Sequence, residues 1–169
     1  SWAKNSLEDI PEFLDSNFKN WKSISAEEYL YENIPGHEIK FKGFIDAILE
    51  CENSRGKKEY WVIDWKTANS GGWYHTKKRD FLTHAQISAY KMFWRKKQEL
   101  GIRDLKCGFV LLKRGAKPGK TCELLTVSSG PKMEERVEQL INSMLTAVKR
   151  GLFLKNRSSC TFCEYKDTE

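Results

Sequence analysis

The sequence has 169 residues, of which 40% are hydrophobic and 12% aromatic, and this is enough apolar material for the core of one domain. No apolar run approaches the roughly 20 residues that a membrane-spanning helix requires, which excludes an integral membrane protein and a membrane partner. The formal net charge of +6 favours a negatively charged partner instead.

The predicted elements begin with a helix and a strand. Apolar side chains recur at the helical period between Ser6 and Phe18, and residues 23–34 have the pattern of a strand. We expect a single domain over residues 1–169, divided into an N-terminal helix and strand (1–35), a core (36–127), a C-terminal helix (131–150) and a cysteine-containing tail (151–169).

Two further predicted strands each lead to an aspartate. Apolar residues alternate with polar ones along residues 37–46, which end in the sequence GFID, with Asp46 last. Residues 60–63, with the sequence YWVI, suit a buried strand and are followed by Asp64, Trp65 and Lys66. The polar segment 51–59 between the two strands is predicted to be a turn, so the pair is predicted to form a hairpin.

Asp46, Asp64 and Lys66 are the candidate catalytic residues. Residues two apart on a strand share a face, so Asp64 and Lys66 point the same way, and Asp46 on the neighbouring strand comes within reach of them. Two carboxylates that converge on one point repel each other unless a cation lies between them, and oxygen ligands of this kind suit Mg²⁺ or Mn²⁺. An adjacent ammonium group can orient or deprotonate a water molecule. The alternative is that the aspartates only end their strands and that Lys66 is a solvated side chain.

A helix is predicted next, from Asp80 to Leu100, because its apolar residues recur at the helical period. Gln86 and Tyr90 are four residues apart and therefore share one face of this helix. An amide and a phenol one turn apart could bind a phosphate or brace the active site. The alternative is that both are ordinary core and surface residues.

The order of these patterns resembles the RecB-like branch of the PD-(D/E)xK nuclease superfamily, which includes CRISPR adaptation nucleases and mitochondrial genome maintenance exonucleases. The resemblance covers residues 38–90 and rests on Gly-x-x-Asp, then Asp-x-Lys at a strand end, then Gln-x-x-x-Tyr on the following helix. It implies an α/β fold with a mixed central β-sheet flanked by helices, the restriction-endonuclease-like core. It also implies roles for the matching positions: metal ligands at Asp46, Asp64 and the backbone carbonyl of Trp65, a catalytic lysine at Lys66, and an accessory pair at Gln86 and Tyr90 that contacts DNA or supports the lysine.

The resemblance implies one more metal ligand, a histidine or glutamate on a helix before the first strand. The three histidines all lie outside the early helix, and the acidic candidates are Glu8, Glu12, Glu27, Glu28 and Glu38. The chain begins at Ser1 without a methionine, so we expect it to be a fragment. The alternative is therefore that this ligand precedes the chain.

The loop between Lys66 and the predicted helix is expected to overhang the metal site. It contains two rings, Trp73 and Tyr74, which either stack on unpaired bases or pack the loop onto the domain. It is followed by Lys77, Lys78 and Arg79, and such basic clusters beside a carboxylate site attract phosphodiester chains. The alternative for these cations is an ordinary solvated surface.

The remaining chain is predicted to form a hairpin, a helix and a tail. The hairpin pairs residues 105–113 with 121–127, and the helix begins at Pro131 and ends at Gly151. In the tail, Cys160 and Cys163 have the spacing with which many RecB-like nucleases contribute to an iron–sulfur cluster. The two thiols supply only half of the usual four ligands, so we interpret them as a remnant or a weak metal site and do not expect an iron–sulfur cluster. Five cysteines without a signal peptide favour the cytoplasm or another reducing compartment.

These patterns predict a metal-dependent deoxyribonuclease that hydrolyses phosphodiester bonds with one or two Mg²⁺ or Mn²⁺ ions. We favour an exonuclease that acts on single-stranded or frayed DNA ends in replication, recombination or repair, with a helicase or recombination protein as a partner. The aromatic loop suits unpaired bases, and the nearest relatives by motif often act in this way. The alternatives are an endonuclease with the same core, an RNA substrate, and a catalytically inactive DNA-binding accessory module.

Overall fold

The structure is a computed structural model that describes residues 1–152 and Glu164. The described elements follow one another along the chain as α1 (Trp2–Asn17), β1 (Lys19–Asn33), β2 (Lys40–Glu52), β3 (Lys58–Asn69), α2 (His75–Lys78), α3 (Phe81–Lys97), β4 (Leu105–Arg114), β5 (Cys122–Val127) and α4 (Pro131–Lys149).

The five strands form one mixed sheet in the order β1-β2-β3-β4-β5. Neighbouring strands are antiparallel except β3 and β4, which are parallel. A parallel pair needs a crossover connection, and here α2 and α3 provide it. The predicted α/β fold with a mixed sheet flanked by helices is confirmed, and so are both predicted hairpins.

Helices α1 and α3 cover opposite faces of the sheet. The ring of Trp61 lies edge-on to Phe18, which follows α1, with 5.1 Å between the ring centroids. The ring of the preceding residue, Tyr60, lies edge-on to Trp94 of α3, at 5.8 Å. Because successive residues of a strand point to opposite faces, these two contacts identify an α1 face and an α3 face of β3.

The bounds of several elements differ from those predicted. Helix α1 begins at Trp2 and includes Pro11, and β1 begins at Lys19 instead of residue 23. The predicted turn over residues 51–59 is too long, because β2 continues to Glu52 and β3 begins at Lys58. The observed turn is closed by Asn53, whose side-chain oxygen accepts hydrogen bonds from the backbone N–H groups of residues 55 and 57. Helix α2 was not predicted.

Residues Ser1–Val137 form one compact unit, and a second begins at Glu138. Helix α4 ends at Lys149, two residues before Gly151, the predicted stop, which has φ +66°. The N–H of Leu152 donates to the carbonyl of Ala147 at 2.9 Å, as expected at a helix end with glycine in the left-handed conformation. Cys160 and Cys163 lie outside the described residues. No helix in the described part of the chain is long and apolar enough to cross a membrane.

Candidate active site

The β2–β3 ladder opens at the two candidate metal ligands. Its register runs from Glu52 opposite Lys58 to Ala47 opposite Ile63 and ends there. The next pair in the same register would be Asp46 opposite Asp64. Instead, Oδ2 of Asp46 accepts a hydrogen bond of 2.8 Å from the backbone N–H of Trp65. A side-chain carboxylate therefore replaces a ladder acceptor at the point where the strands separate.

The backbone is also distorted at Asp46 on the side of β1. The β1–β2 register includes the pairs Ala26–Ala47 and Glu28–Ile45 but skips Glu27 and Asp46 between them. Glu27 has φ +51°, a left-handed conformation that is uncommon for a residue with a side chain. Asp46 thus lies between two interrupted ladders, which leaves its carboxylate free to turn towards β3.

Strand β2 changes the face on which its residues are buried at this distortion. Before it, the ring of Phe41 stacks on Phe93 of α3, with 4.2 Å between the centroids. After it, Ala47 and Leu49 belong to the core cluster of Leu14 in α1. Uninterrupted alternation would place Phe41, Ala47 and Leu49 on one face of the strand. Since Phe41 contacts α3 and the other two contact α1, the alternation is broken between Phe41 and Ala47.

Asp64 and Lys66 lie together on the α3 face of β3, as their spacing predicts. Nζ of Lys66 is 2.7 Å from Oδ2 of Asp64. Oδ2 is buried, and its ion pair with Lys66 stands in place of the hydrogen bonds that it would make in water. Asp64 is only 4% exposed, whereas the side chain of Lys66 is 36% exposed. The carboxylate is thus enclosed, whereas the lysine side chain is partly exposed to solvent.

The environment of Asp64 disfavours its negative charge. Burial raises the pKa of this carboxyl, and the nearby charge of Asp46 raises it further, while Lys66 opposes the shift without cancelling it. A buried anion with an oxygen that lacks a hydrogen bond is a suitable ligand for a hard divalent cation. The N–H and C=O of one strand residue point to the same edge, so the carbonyl of Trp65 is directed towards the side of β2 and Asp46. The oxygen atoms present therefore fit the expected Mg²⁺ or Mn²⁺.

A third ligand is not assembled in the described part of the chain, since residues 1–152 and Glu164 contain no group of three acidic, histidine or cysteine side chains placed to hold a metal ion. Of the five glutamates considered, Glu8 contacts Lys4 and Glu28 is paired with Lys97 at 3.1 Å. The additional ligand stays a prediction.

Gln86 and Tyr90 share one face of α3, as predicted. Nε2 of Gln86 lies 3.4 Å from the hydroxyl of Tyr90. The ring of Tyr90 covers Gly43, where an added Cβ atom would lie 2.6 Å from Cε1 of that ring. The glycine of Gly-x-x-Asp therefore makes room for the tyrosine of Gln-x-x-x-Tyr, a connection that sequence spacing alone did not reveal.

The two aromatic residues of the loop have different environments. The ring of Trp73 packs on Phe109 of β4, with 5.1 Å between the centroids. Phe109 is opposite Asp64 in the parallel β3–β4 register, so Trp73 lies close to the carboxylate site. Tyr74 is 77% exposed. Packing against the domain thus accounts for Trp73, while the ring of Tyr74 is accessible to a ligand.

The cations after this loop are not equivalent either. Nζ of Lys78 donates to Oε1 of Glu123 on β5 at 2.8 Å, and Nζ of Lys77 donates to the hydroxyl of Thr83 at 2.8 Å. Arg79 is exposed. Sequence reasoning missed Glu123, for which no local pattern gives a signal because its partner is 45 residues away.

The comparisons with known proteins agree with this geometry. The profile of the PD-(D/E)XK nuclease superfamily matches residues 1–168. Among solved structures, SSO0001 is 18% identical with a TM-score of 0.49, over 95% of this chain and 64% of that chain. A protein from Eubacterium rectale named "Putative exonuclease" is 16% identical with a TM-score of 0.54, over 96% of this chain and 59% of that chain, and it has a similar fold.

The chain spans about three fifths of the length of these two structures. No protein of curated function matches it. The match of the family profile to almost the whole sequence, together with the mixed sheet, assigns the chain: it belongs to the PD-(D/E)XK nuclease superfamily.

Proposed function

We propose that the protein is a metal-dependent deoxyribonuclease and that Asp46, Asp64 and Lys66 form its active site. The observation that carries the proposal is the buried carboxylate of Asp64, which lies beside Lys66 and close to Asp46 in surroundings that disfavour its negative charge and raise its pKa. A fold that only bound DNA would gain stability by replacing this carboxylate with a neutral side chain, because burying an incompletely paired charge is costly. Its presence is expected where a cation completes the site.

The residues of the site would divide the work between them. A bound Mg²⁺ or Mn²⁺ supplies Lewis acidity to the scissile phosphate and lowers the pKa of a water molecule. Asp46 and Asp64 hold their carboxylates at the opening between β2 and β3, and the hydrogen bond from Trp65 fixes the orientation of Asp46. The exposed ammonium group of Lys66 can position the attacking water or offset the charge that develops on the phosphate oxygens. Tyr90 and Gln86 would hold the first strand of the site in place from α3.

The preference for single-stranded or frayed ends rests on the loop. The exposed ring of Tyr74 presents a face to which an unpaired base can stack, and Arg79 beside it offers a charge to the phosphates. An exonuclease in replication, recombination or repair, working with a helicase or recombination protein, fits these features. An inactive DNA-binding module is the competing proposal, supported by the lack of a third ligand among the described residues.

Cleavage of end-labelled DNA tests the proposal. Single-stranded, duplex and circular DNA and a matching RNA strand are incubated with Mg²⁺, Mn²⁺ or EDTA, using the wild type, Lys66→Ala and the control Lys57→Ala, which changes an exposed lysine in the β2–β3 turn. We expect metal-dependent loss of linear single strands by the wild type and the control, and none by Lys66→Ala. Nicked circles would indicate an endonuclease, faster loss of RNA would change the substrate, and no cleavage of any substrate would favour the binding module.

A further inference from the structure

An exposed aromatic surface lies on β1 and β2, outside the site described above. We call it the aromatic platform, and it consists of Tyr29, Tyr31 and Phe44, which are 44%, 52% and 52% exposed. The rings of Tyr29 and Tyr31 are stacked with 6.1 Å between their centroids, and Tyr29 lies 5.1 Å from Phe44. Three adjacent exposed rings form a continuous apolar surface, which is unusual on a protein surface without a partner.

The strand register explains why the three rings share one face. Tyr29 is directly opposite Phe44 in the β1–β2 ladder, and Tyr31 is two residues further along β1. Leu30, between the two tyrosines, is fully buried on the other face. The platform therefore faces away from α3, and β1 is an edge strand of the sheet.

Two lysines give the platform a positive border. Nζ of Lys40 lies over the ring of Tyr31, 4.8 Å from its centroid, and Lys42 is directly opposite Tyr31 in the ladder. Glu28, next to Tyr29, is on the other face of β1 and is paired there, because Nζ of Lys97 in α3 lies 3.1 Å from its Oε1. Flat apolar rings combined with ammonium groups match the two chemical parts of an unpaired polynucleotide, its base faces and its phosphates.

The platform and the candidate active site are close along β2 but lie on opposite faces of the sheet. Phe44 precedes Asp46 by two residues on the same strand, a distance of about 7 Å along the strand. Lys40 lies six residues before Asp46, about 20 Å away. The platform is therefore a separate binding surface from the pair Asp64 and Lys66, which faces α3.

We propose that the aromatic platform binds the unpaired strand of a polynucleotide, with bases stacked on Tyr29, Tyr31 and Phe44 and phosphates held by Lys40 and Lys42. That such a strand is also the substrate of the active site rests on the proposed nuclease function. The binding itself does not, because it needs neither metal nor cleavage. The proposal also assigns the platform a sequence-tolerant role, since every base has a face that can stack.

Binding in EDTA tests the platform separately from catalysis. Fluorescence anisotropy would follow a labelled oligothymidylate, an abasic strand of the same length and a blunt duplex, each with the wild type and with the double variant Tyr31→Ala/Phe44→Ala. We expect the double variant to bind the oligothymidylate at least about fivefold more weakly for each ring removed. Its affinity for the abasic strand and the duplex should change less than twofold, because neither ligand offers free base faces.

Two further variants separate stacking from other effects. Tyr31→Phe keeps the ring and should bind like the wild type, whereas Phe44→Leu keeps apolar area but loses the flat face and should bind more weakly. Leu7→Ala is the control, because it removes a side chain that is 67% exposed on α1 and belongs to neither strand of the platform. Circular dichroism and thermal unfolding establish that every variant is folded, and Phe44→Leu still tests the platform if the double variant does not fold.

The outcomes distinguish this proposal from the nuclease assignment. If the double variant binds the oligothymidylate like the wild type, the platform proposal is overturned even when the wild type cleaves DNA. An equal loss of affinity for abasic and normal strands would also overturn it, because phosphate attraction alone would then explain binding. If the wild type cleaves nothing but the expected losses are found, the platform stands and the nuclease function fails.

Discussion

The ring of Tyr90 packs on the backbone of Gly43 so closely that a Cβ atom there would lie 2.6 Å from its Cε1. Gly43 lies on β2, three residues before the metal-ligand candidate Asp46, and Tyr90 lies on α3, which packs against this part of the strand. The contact joins two sequence patterns that are 47 positions apart. It also gives the glycine a steric role, since its backbone does not have a positive φ.

Gly43→Ala is expected to destabilise the protein by about 1–3 kcal/mol, the usual cost of overpacking a filled site. The double variant Gly43→Ala/Tyr90→Ala should be less destabilised than the sum of the single variants, because removal of the ring creates the missing space. Urea unfolding of the four proteins measures this coupling. Gly130→Ala is the control, because a Cβ atom at Gly130 has no neighbour within 4 Å. Strictly additive effects would contradict the proposed steric contact.

Asp64→Asn is expected to stabilise the metal-free protein at neutral pH while abolishing cleavage. Burial raises the pKa of Asp64, so the folded protein favours the protonated carboxyl. The stability that this preference provides is complete below the unfolded pKa of about 3.9 and is lost as the pH rises through the raised pKa of the folded state. Loss of a metal ligand should lower the cleavage rate on the order of a thousandfold, since the metal contributes several kcal/mol.

Thermal unfolding in EDTA between pH 3 and pH 8 measures this effect. The advantage of Asp64→Asn over the wild type should be largest at the neutral end and should disappear towards acid pH. Asp80→Asn provides a comparison of opposite sign. Hydrogen bonds from Thr83 lower the pKa of Asp80, so its charged carboxylate stabilises the fold at neutral pH and this stability is lost as the pH falls through the lowered pKa. A wild type that is more stable than Asp64→Asn at pH 8 without metal would contradict the prediction.

The strands could be predicted from the sequence, and the candidate site residues proposed, because both depend on short-range patterns. Alternation up to Asp46 and the aromatic run before Asp64 are properties of neighbouring residues, and they correctly predict a hairpin. The distortion at Asp46 could not be predicted, since it depends on the positive φ of Glu27 in another strand. The length of the turn was overestimated because the polar residues Glu52 and Lys58 pair with each other across the ladder.

The contacts of the loop also lay beyond sequence reasoning. Trp73 and Tyr74 are adjacent and chemically similar, so no pattern could decide which one packs. Their environments are set by Phe109, which reaches the loop through the parallel pairing of β3 with β4. Long-range register of this kind is a property of the assembled sheet.

Mn²⁺ or Mg²⁺ is expected to raise the unfolding temperature of the wild type, because a ligand that binds only the folded state stabilises it by mass action. The gain is about 2.7 kcal/mol at a concentration one hundred times the Kd. The increase should be absent in Asp64→Asn, which lacks one of the two proposed carboxylate ligands. Differential scanning fluorimetry with and without EDTA measures it.

Glu50→Gln is the control for the metal experiment, since Glu50 lies on β2 four residues beyond Asp46 and is paired with Lys22 and Lys58. Glu50→Gln should show the same metal-dependent rise in unfolding temperature as the wild type. If the metal raised the unfolding temperature of Asp64→Asn but not that of Glu50→Gln, the cation would bind at a different place from the one proposed.

Trp73→Ala and Tyr74→Ala are expected to have opposite profiles, although they change adjacent aromatic residues. Trp73 packs on buried Phe109 but is itself only half-buried. Its truncation should therefore destabilise the protein, though by less than the ~3–5 kcal/mol that is usual for a fully buried ring. Tyr74 is 77% exposed, so Tyr74→Ala should leave stability within about 0.5 kcal/mol of the wild type.

The same two variants differ in their expected effect on DNA. Tyr74→Ala should weaken binding of a single strand by about 1–3 kcal/mol, the usual contribution of a stacked base, without changing the affinity for a blunt duplex. Urea unfolding and fluorescence anisotropy measure the two properties, and Tyr74→Phe, which keeps the ring, is the control for stacking. If Tyr74→Ala binds single strands like the wild type, the loop has no role in holding unpaired bases, and the preference of the active site for single-stranded ends must come from another surface.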